Sequence, residues 1–132
     1  MKLTKNFKLK EFECKGSCKD CNNKCSMPLG VYENVIKLAG QLQFLRDYTG
    51  RAITINSAYR SPEHNAKVGG SPTSQHILGK AADITIEGLK PAEVYRIIED
   101  LIDMGNMLQG GLGNYKNFTH YDIRKTKARW NG

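Results

Sequence analysis

An α+β fold, a small, mostly antiparallel sheet packed against helices, is what this 132-residue sequence predicts. Three observations carry the expectation. Apolar residues recur at helical spacing in two separated segments, β-branched residues alternate in others, and glycine or proline marks the boundaries between them. Strands in separated runs with helices between them belong to this class. The length is that of one domain, 1–132, large enough to bury a single core. No internal repeat or low-complexity linker divides it.

Phe7, Leu9 and Phe12 make a short amphipathic piece over 7–13 that packs on the body. A turn-rich segment from Cys14 to Pro28 follows. Val31, Val35, Leu38, Leu42 and Leu45 then define the clearest helix, running to Tyr48, with Gly50 where it stops. Residues 52–56 alternate and are β-branched, a strand. Ser61-Pro62-Glu63 opens a short helix through Lys67, serine capping and proline in the first turn. Residues 68–74, with Gly69, Gly70 and Pro72, form a loop. A strand over 82–87 ends at Gly88, and Pro91 starts a second amphipathic helix with Val94, Ile97, Ile98, Leu101 and Ile102 as its apolar stripe. Residues 110–115 and 118–123 are adjacent strands joined by a short polar turn.

Composition narrows the function classes. Charged residues at 25% and apolar residues at 39% describe a folded protein rather than a disordered one. No apolar run approaches the ~20 residues of a membrane span. The first residues are polar and interrupted by lysines, so no secretory signal is visible, and synthesis in the cytoplasm is expected. The net charge of +7 favours polyanionic partners such as nucleic acid, anionic lipid or the acidic polymers of a bacterial wall. Nucleic acid is not the expected partner, because no aromatic residues are regularly interleaved with the basic ones.

The chemistry concentrates in Ser74-Gln75-His76 through Asp83 and in His120-Tyr121-Asp122. Two imidazoles and a carboxylate are good zinc donors, and three protein ligands leave a fourth position for water. The spacing of His76 and Asp83 fits no single helix face, so a loop must fold back on a strand. Gly79, Ala81 and Ala82 leave room for that turn. Singly, a histidine or a strand-opening aspartate is usually structural; as a set they point to a metal. Alternation places Asp122 on the face of His120, where it would act as general base or as support for a ligand. Cys14, Cys18, Cys21 and Cys25 are all the cysteines in the chain. Their spacing is compatible with a structural metal knuckle, with two disulfides, or with free thiols.

Ser57-Ala58-Tyr59-Arg60-Ser61, the block from Ser74 to Asp83, and Gly110-Gly111-Leu112-Gly113 through His120-Tyr121-Asp122-Ile123-Arg124 together resemble the zinc D-alanyl-D-alanine carboxypeptidase family. Its members include bacterial and phage wall peptidases, and its fold is shared with the hedgehog signalling domain. The resemblance runs from about Asn6 to Arg124. It implies a hedgehog/D,D-peptidase-like fold and one catalytic Zn2+ on His76, Asp83 and His120. It gives Arg60 the role of holding a substrate carboxylate or carbonyl oxygen, for which a planar fork is suited, and makes Ser74 a residue that touches substrate. One departure stands out: many relatives carry an acidic general base three residues before the last zinc histidine, where this chain has Asn117. Asp122 is the nearest replacement. The expected function is zinc-dependent hydrolysis of peptide bonds in peptidoglycan stems or cross-links, by a monomer acting as D,D-carboxypeptidase or endopeptidase. A phage endolysin, made in the cytoplasm and acting on the wall after release, is the expected setting. The alternative is a non-catalytic wall-binding module that keeps the fold, with Asn117 as its signature.

Overall fold

The apolar spacing between Val31 and Leu45 closes into one long helix, α1 (Leu29–Thr49), in a computed structural model that describes residues 1–16 and 27–132. Its buried face is Val35, Leu38, Ala39, Leu42 and Leu45, and Gly50 ends it in the left-handed region at a φ of 66°. Before it, Leu9–Phe12 form a single 3-10 turn that drives Phe12 into the core beside Phe7, ring centroids 6.0 Å apart. The short helix α2 (Pro62–Lys67) starts as expected, the Ser61 side chain accepting from the His64 N–H at 3.1 Å. The second amphipathic helix, α3 (Pro91–Asp103), buries Val94, Ile98, Leu101 and Ile102.

Among the described residues five strands make one sheet: β1 (Ile53–Ser57), β2 (Ala81–Ile86), β3 (Gly111–Asn114), β4 (Thr119–Asp122) and β5 (Ala128–Asn131), in the spatial order β1-β2-β4-β3-β5. The pairs β1–β2, β2–β4 and β3–β4 are antiparallel, as the sequence predicts, and β3–β5 is parallel. β5 was not predicted. Its four residues alternate Ala-Arg-Trp-Asn, a run too short to stand out in the sequence, and pairing with β3 and side-chain bonds hold it. Arg129 supplies the largest of these, binding both carboxylate oxygens of Glu99 on α3 at 2.8 Å and donating to the Gly110 carbonyl at 2.6 Å.

Alternation divides the sheet into two faces. Ala82, Ile84, Ile86, Leu112 and Tyr121 join the residues of α1 and α3 in one apolar core. The opposite side chains of the same strands are polar, small or absent. Register then aligns them: Ser57 pairs with Asp83, Asp83 with His120, His120 with Gly113, and Gly113 with Trp130. One row of side chains thus crosses all five strands. The next row holds Ala81, Asp122, Gly111 and Ala128.

Candidate metal centre

Strand register delivers two of the three donors, since Asp83 on β2 lies directly across from His120 on β4. The third, His76, comes from the turn-rich loop before β2. That loop is fixed by its own bonds: the Ser74 hydroxyl accepts from the His76 N–H at 3.1 Å, and the His76 carbonyl accepts from Arg60 and Gly79. Gly79 turns at a φ of 73°, a conformation that side-chain-bearing residues rarely adopt. His76, Asp83 and His120 are all buried, and one donor atom from each lies within 4.8 Å of the others.

Asp83 bridges the two imidazoles, with Oδ2 3.2 Å from His76 Nε2 and Oδ1 2.9 Å from His120 Nδ1. Donors bonded to one tetrahedral zinc at ~2.0 Å lie about 3.3 Å apart, so little rearrangement separates this cluster from a coordinated one. The other ring nitrogens fix the tautomers. His76 Nδ1 lies 2.7 Å from the Ala58 carbonyl oxygen and donates to it, which leaves Nε2 as the lone-pair nitrogen. His120 Nε2 lies 2.8 Å from Asp122 Oδ2 and donates there, so Nδ1, which faces Asp83, would be the lone-pair nitrogen once a metal displaces its proton. Two nitrogens and a carboxylate oxygen, each aimed inward and backed by a hydrogen-bond partner, suit zinc by donor type, geometry and tautomer.

Asp122 stands behind this centre. It is fully buried and accepts five hydrogen bonds: Oδ1 from the Gly111 N–H, the Arg124 N–H and Arg124 Nε, and Oδ2 from His120 and Arg124 Nη2. A carboxylate has about four lone-pair sites, so none remains for a substrate proton. Nor is Asp122 among the residues lining the cleft. Of the two roles expected of Asp122, general base and support for a ligand, these contacts match the second, because Oδ2 accepts from the ring of His120. The glycines of β3 make this packing possible. A Cβ on Gly111 would lie 2.2 Å from Asp122 Oδ2, and one on Gly113 would lie 2.6 Å from the Trp130 indole.

The cleft has a volume of about 540 Å³, within the range that encloses a small ligand. Arg60, Ser74, His76, Asp83 and His120, all singled out from the sequence, line it together. Arg60 Nη2 lies 3.7 Å from Asp83 Oδ2. Asn117 is exposed in the β3–β4 turn and is not among the lining residues. Among the lining residues given no role in the sequence are Arg124, Tyr115, Phe118 and Trp130. Arg124 was legible, because it continues the alternation His120, Asp122, Arg124. Trp130 was not, because it rides on the unpredicted β5. Its ring lies 5.0 Å from the His120 ring, Arg124 sits 5.3 Å from its centroid, and its Nε1 donates to the Tyr115 hydroxyl at 2.8 Å.

Of the four cysteines, Cys18, Cys21 and Cys25 lie outside the described residues. Cys14 is half-buried, and its sulfur accepts from the Ser61 N–H at 3.4 Å. Among the described residues no helix is long and apolar enough to cross a membrane.

The electrostatics set a pH response for the metal-free protein. Burial pushes the Asp83 carboxyl up, but hydrogen bonds from His120 and His76 outweigh it and hold the pKa at about 2, against 3.8. Asp122 is also depressed, burial being outweighed by His120 and Arg124. His120 moves the other way: burial lowers its pKa, while Asp122 and Asp83 together raise it above 6.5. The Asp83 contribution, on the order of 2 kcal/mol, is present above pH ~4 and lost as pH falls toward ~2. The His120 contribution is complete below pH ~6.5 and lost as pH rises through its elevated pKa. Urea midpoints of chelator-treated protein should therefore peak between pH ~4 and ~6.5. With zinc bound, stability should instead rise toward neutral pH, because metal competes with protons for the imidazoles. A metal-free midpoint still rising from pH 6 to 8 would contradict the His120 pairing.

No curated protein matches the chain. The family model for Peptidase M15 matches residues 5–122, which is most of the chain and includes all three donors. The fold and the His-Asp-His group agree with that match, and the protein belongs to the M15 family of zinc-dependent metallopeptidases.

Proposed function

We propose that this metallopeptidase hydrolyses peptide bonds in bacterial peptidoglycan, in stems or cross-links, as a D,D-carboxypeptidase or endopeptidase. The observation that carries the proposal is the His76–Asp83–His120 cluster in the lining of a cleft that also presents Arg60. A bound Zn2+ would supply a Lewis acid and lower the pKa of a coordinated water from ~15.7 to about 7. The protein's own residues do the rest. Ala58 and Asp122 hold the two imidazoles in the tautomers that present a lone pair. Arg60 meets negative charge on a substrate carbonyl or carboxylate beside Asp83, and Ser74 lies within reach of the substrate backbone. Tyr115, Phe118 and Trp130 form an aromatic wall that limits water around the reacting bond.

The net charge of +7 favours accumulation on an acidic wall. It fits a monomeric phage endolysin made in the cytoplasm and released onto its substrate. Zinc content reports on the cysteines at the same time: two equivalents place a second metal at Cys14, Cys18, Cys21 and Cys25, and one equivalent leaves them as disulfides or thiols.

One observation favours a second function, a wall-binding module without turnover. Among the described residues of the lining, Asp83 is the one carboxylate, and it belongs to the metal cluster. Mass spectrometry of muropeptides incubated with zinc-loaded protein decides between the two. A peptidase yields products that a chelator suppresses, and their masses identify the bond. Intact muropeptides under conditions where the protein sediments with sacculi would establish the binding module.

A further inference from the structure

We infer that Asn65, on α2, is a positioning residue for Arg60 and for one wall of the cleft, an inference that rests on the peptidase proposal above. Asn65 is 1% exposed, although amides are disfavoured inside helices and rarely buried without cause. The two ends of its side-chain amide face different tasks. Oδ1 accepts from Arg60 Nη1 at 3.3 Å, and Nδ2 donates to the Ser71 carbonyl at 2.8 Å. Its backbone carbonyl accepts from the Gly70 N–H at 2.8 Å. Gly70 packs so closely on this amide that a Cβ there would lie 2.1 Å from Oδ1.

Asn65 does not line the cleft, whereas Arg60, Gly70 and Ser71 do. It reaches the substrate only through them. With Ser57 Oγ accepting from Arg60 Nε at 3.3 Å and Asp83 facing Nη2 at 3.7 Å, each guanidinium nitrogen has a partner, and Ser57 and Asn65 supply the neutral ones. A neutral acceptor orients the fork without offsetting its charge beyond what Asp83 already does, so the remainder stays available to an oxygen gaining negative charge beside the metal donors. Asparagine offers a short acceptor and a short donor on separate atoms. Leucine would strand both partners, and aspartate would leave the Ser71 carbonyl without its donor.

The test is a double-mutant cycle with muropeptide turnover by zinc-loaded protein, joined to a readout independent of turnover. Arg60→Ala should lower kcat/KM by about 100-fold or more, and Asn65→Ala by about 10-fold. The double variant should be no slower than Arg60→Ala, because Asn65 acts through Arg60. Multiplicative losses in the double variant would overturn the inference. In metal-free wild-type protein the Arg60 Nε–H should give its own resolved NMR signal, and Asn65→Ala should collapse it into the envelope of exposed arginines; a signal unmoved by the substitution also overturns it. If Asn65→Ala fails to fold, Asn65→Asp carries the test: it keeps the acceptor for Arg60, and its Arg60 signal should stay resolved while KM rises. A wild-type protein without turnover removes the peptidase proposal, and the NMR comparison still decides the placement of Arg60.

Discussion

Replacing His76 by alanine is expected to remove zinc binding at the cluster and to lower turnover by at least roughly a thousand-fold. The remaining donors, Asp83 and His120, sit opposite each other on neighbouring strands and give a metal two ligands where a stable zinc site needs three. A metal's contribution to a hydrolytic transition state is several kcal/mol, and each ~1.4 kcal/mol is tenfold in rate. Loss of the Ala58 hydrogen bond adds a stability cost of about 1 kcal/mol, too small to unfold an ordinary domain. Zinc stoichiometry by metal analysis, turnover on muropeptides and a denaturation curve, all on one preparation, separate these effects. A folded His76→Ala protein that keeps wild-type activity would sink the assignment.

Asp122→Ala should behave differently. It strands the Arg124 guanidinium, the Gly111 N–H and His120 Nε2, and because the Arg124 side chain is 28% exposed the loss falls at or below the low end of the ~3–5 kcal/mol typical of breaking a buried pair. Without its partner, His120 is free to turn or change tautomer, and zinc affinity should fall by about 10–100-fold. The signature is therefore a joint loss of stability and metal affinity, with turnover partly restored by excess zinc. A general base would give the reverse pattern: kcat lost, zinc affinity and folding intact. Titrating zinc against each variant and measuring its urea midpoint distinguishes the two roles.

Much of the frame was legible before any coordinates. The 3.6-residue spacing from Val31 to Leu45 and from Val94 to Ile102 dictates helices whatever their neighbours, because one face must be buried. Strand alternation likewise put His120, Asp122 and Arg124 on one face. β5 was illegible for a matching reason. Ala128-Arg129-Trp130-Asn131 owes its extended form to β3 and to the Arg129–Glu99 pair, partners distant in sequence. Asn65 was equally hidden, since a polar residue in a short helix looks solvated until Arg60 and Ser71 are seen to converge on it.

The sequence by itself pointed to two imidazoles and a carboxylate as a metal-binding set, and its resemblance to the peptidase family added an arginine. Only the tertiary structure decided how these side chains are arranged. The register of β2 against β4 sets Asp83 across from His120, and the β3 glycines admit Asp122 behind that histidine and Trp130 beside it. Whether a carboxylate takes a proton or steadies a ligand depends on how many donors already surround it. That number is set by chain segments far apart in sequence, and no local pattern encodes it.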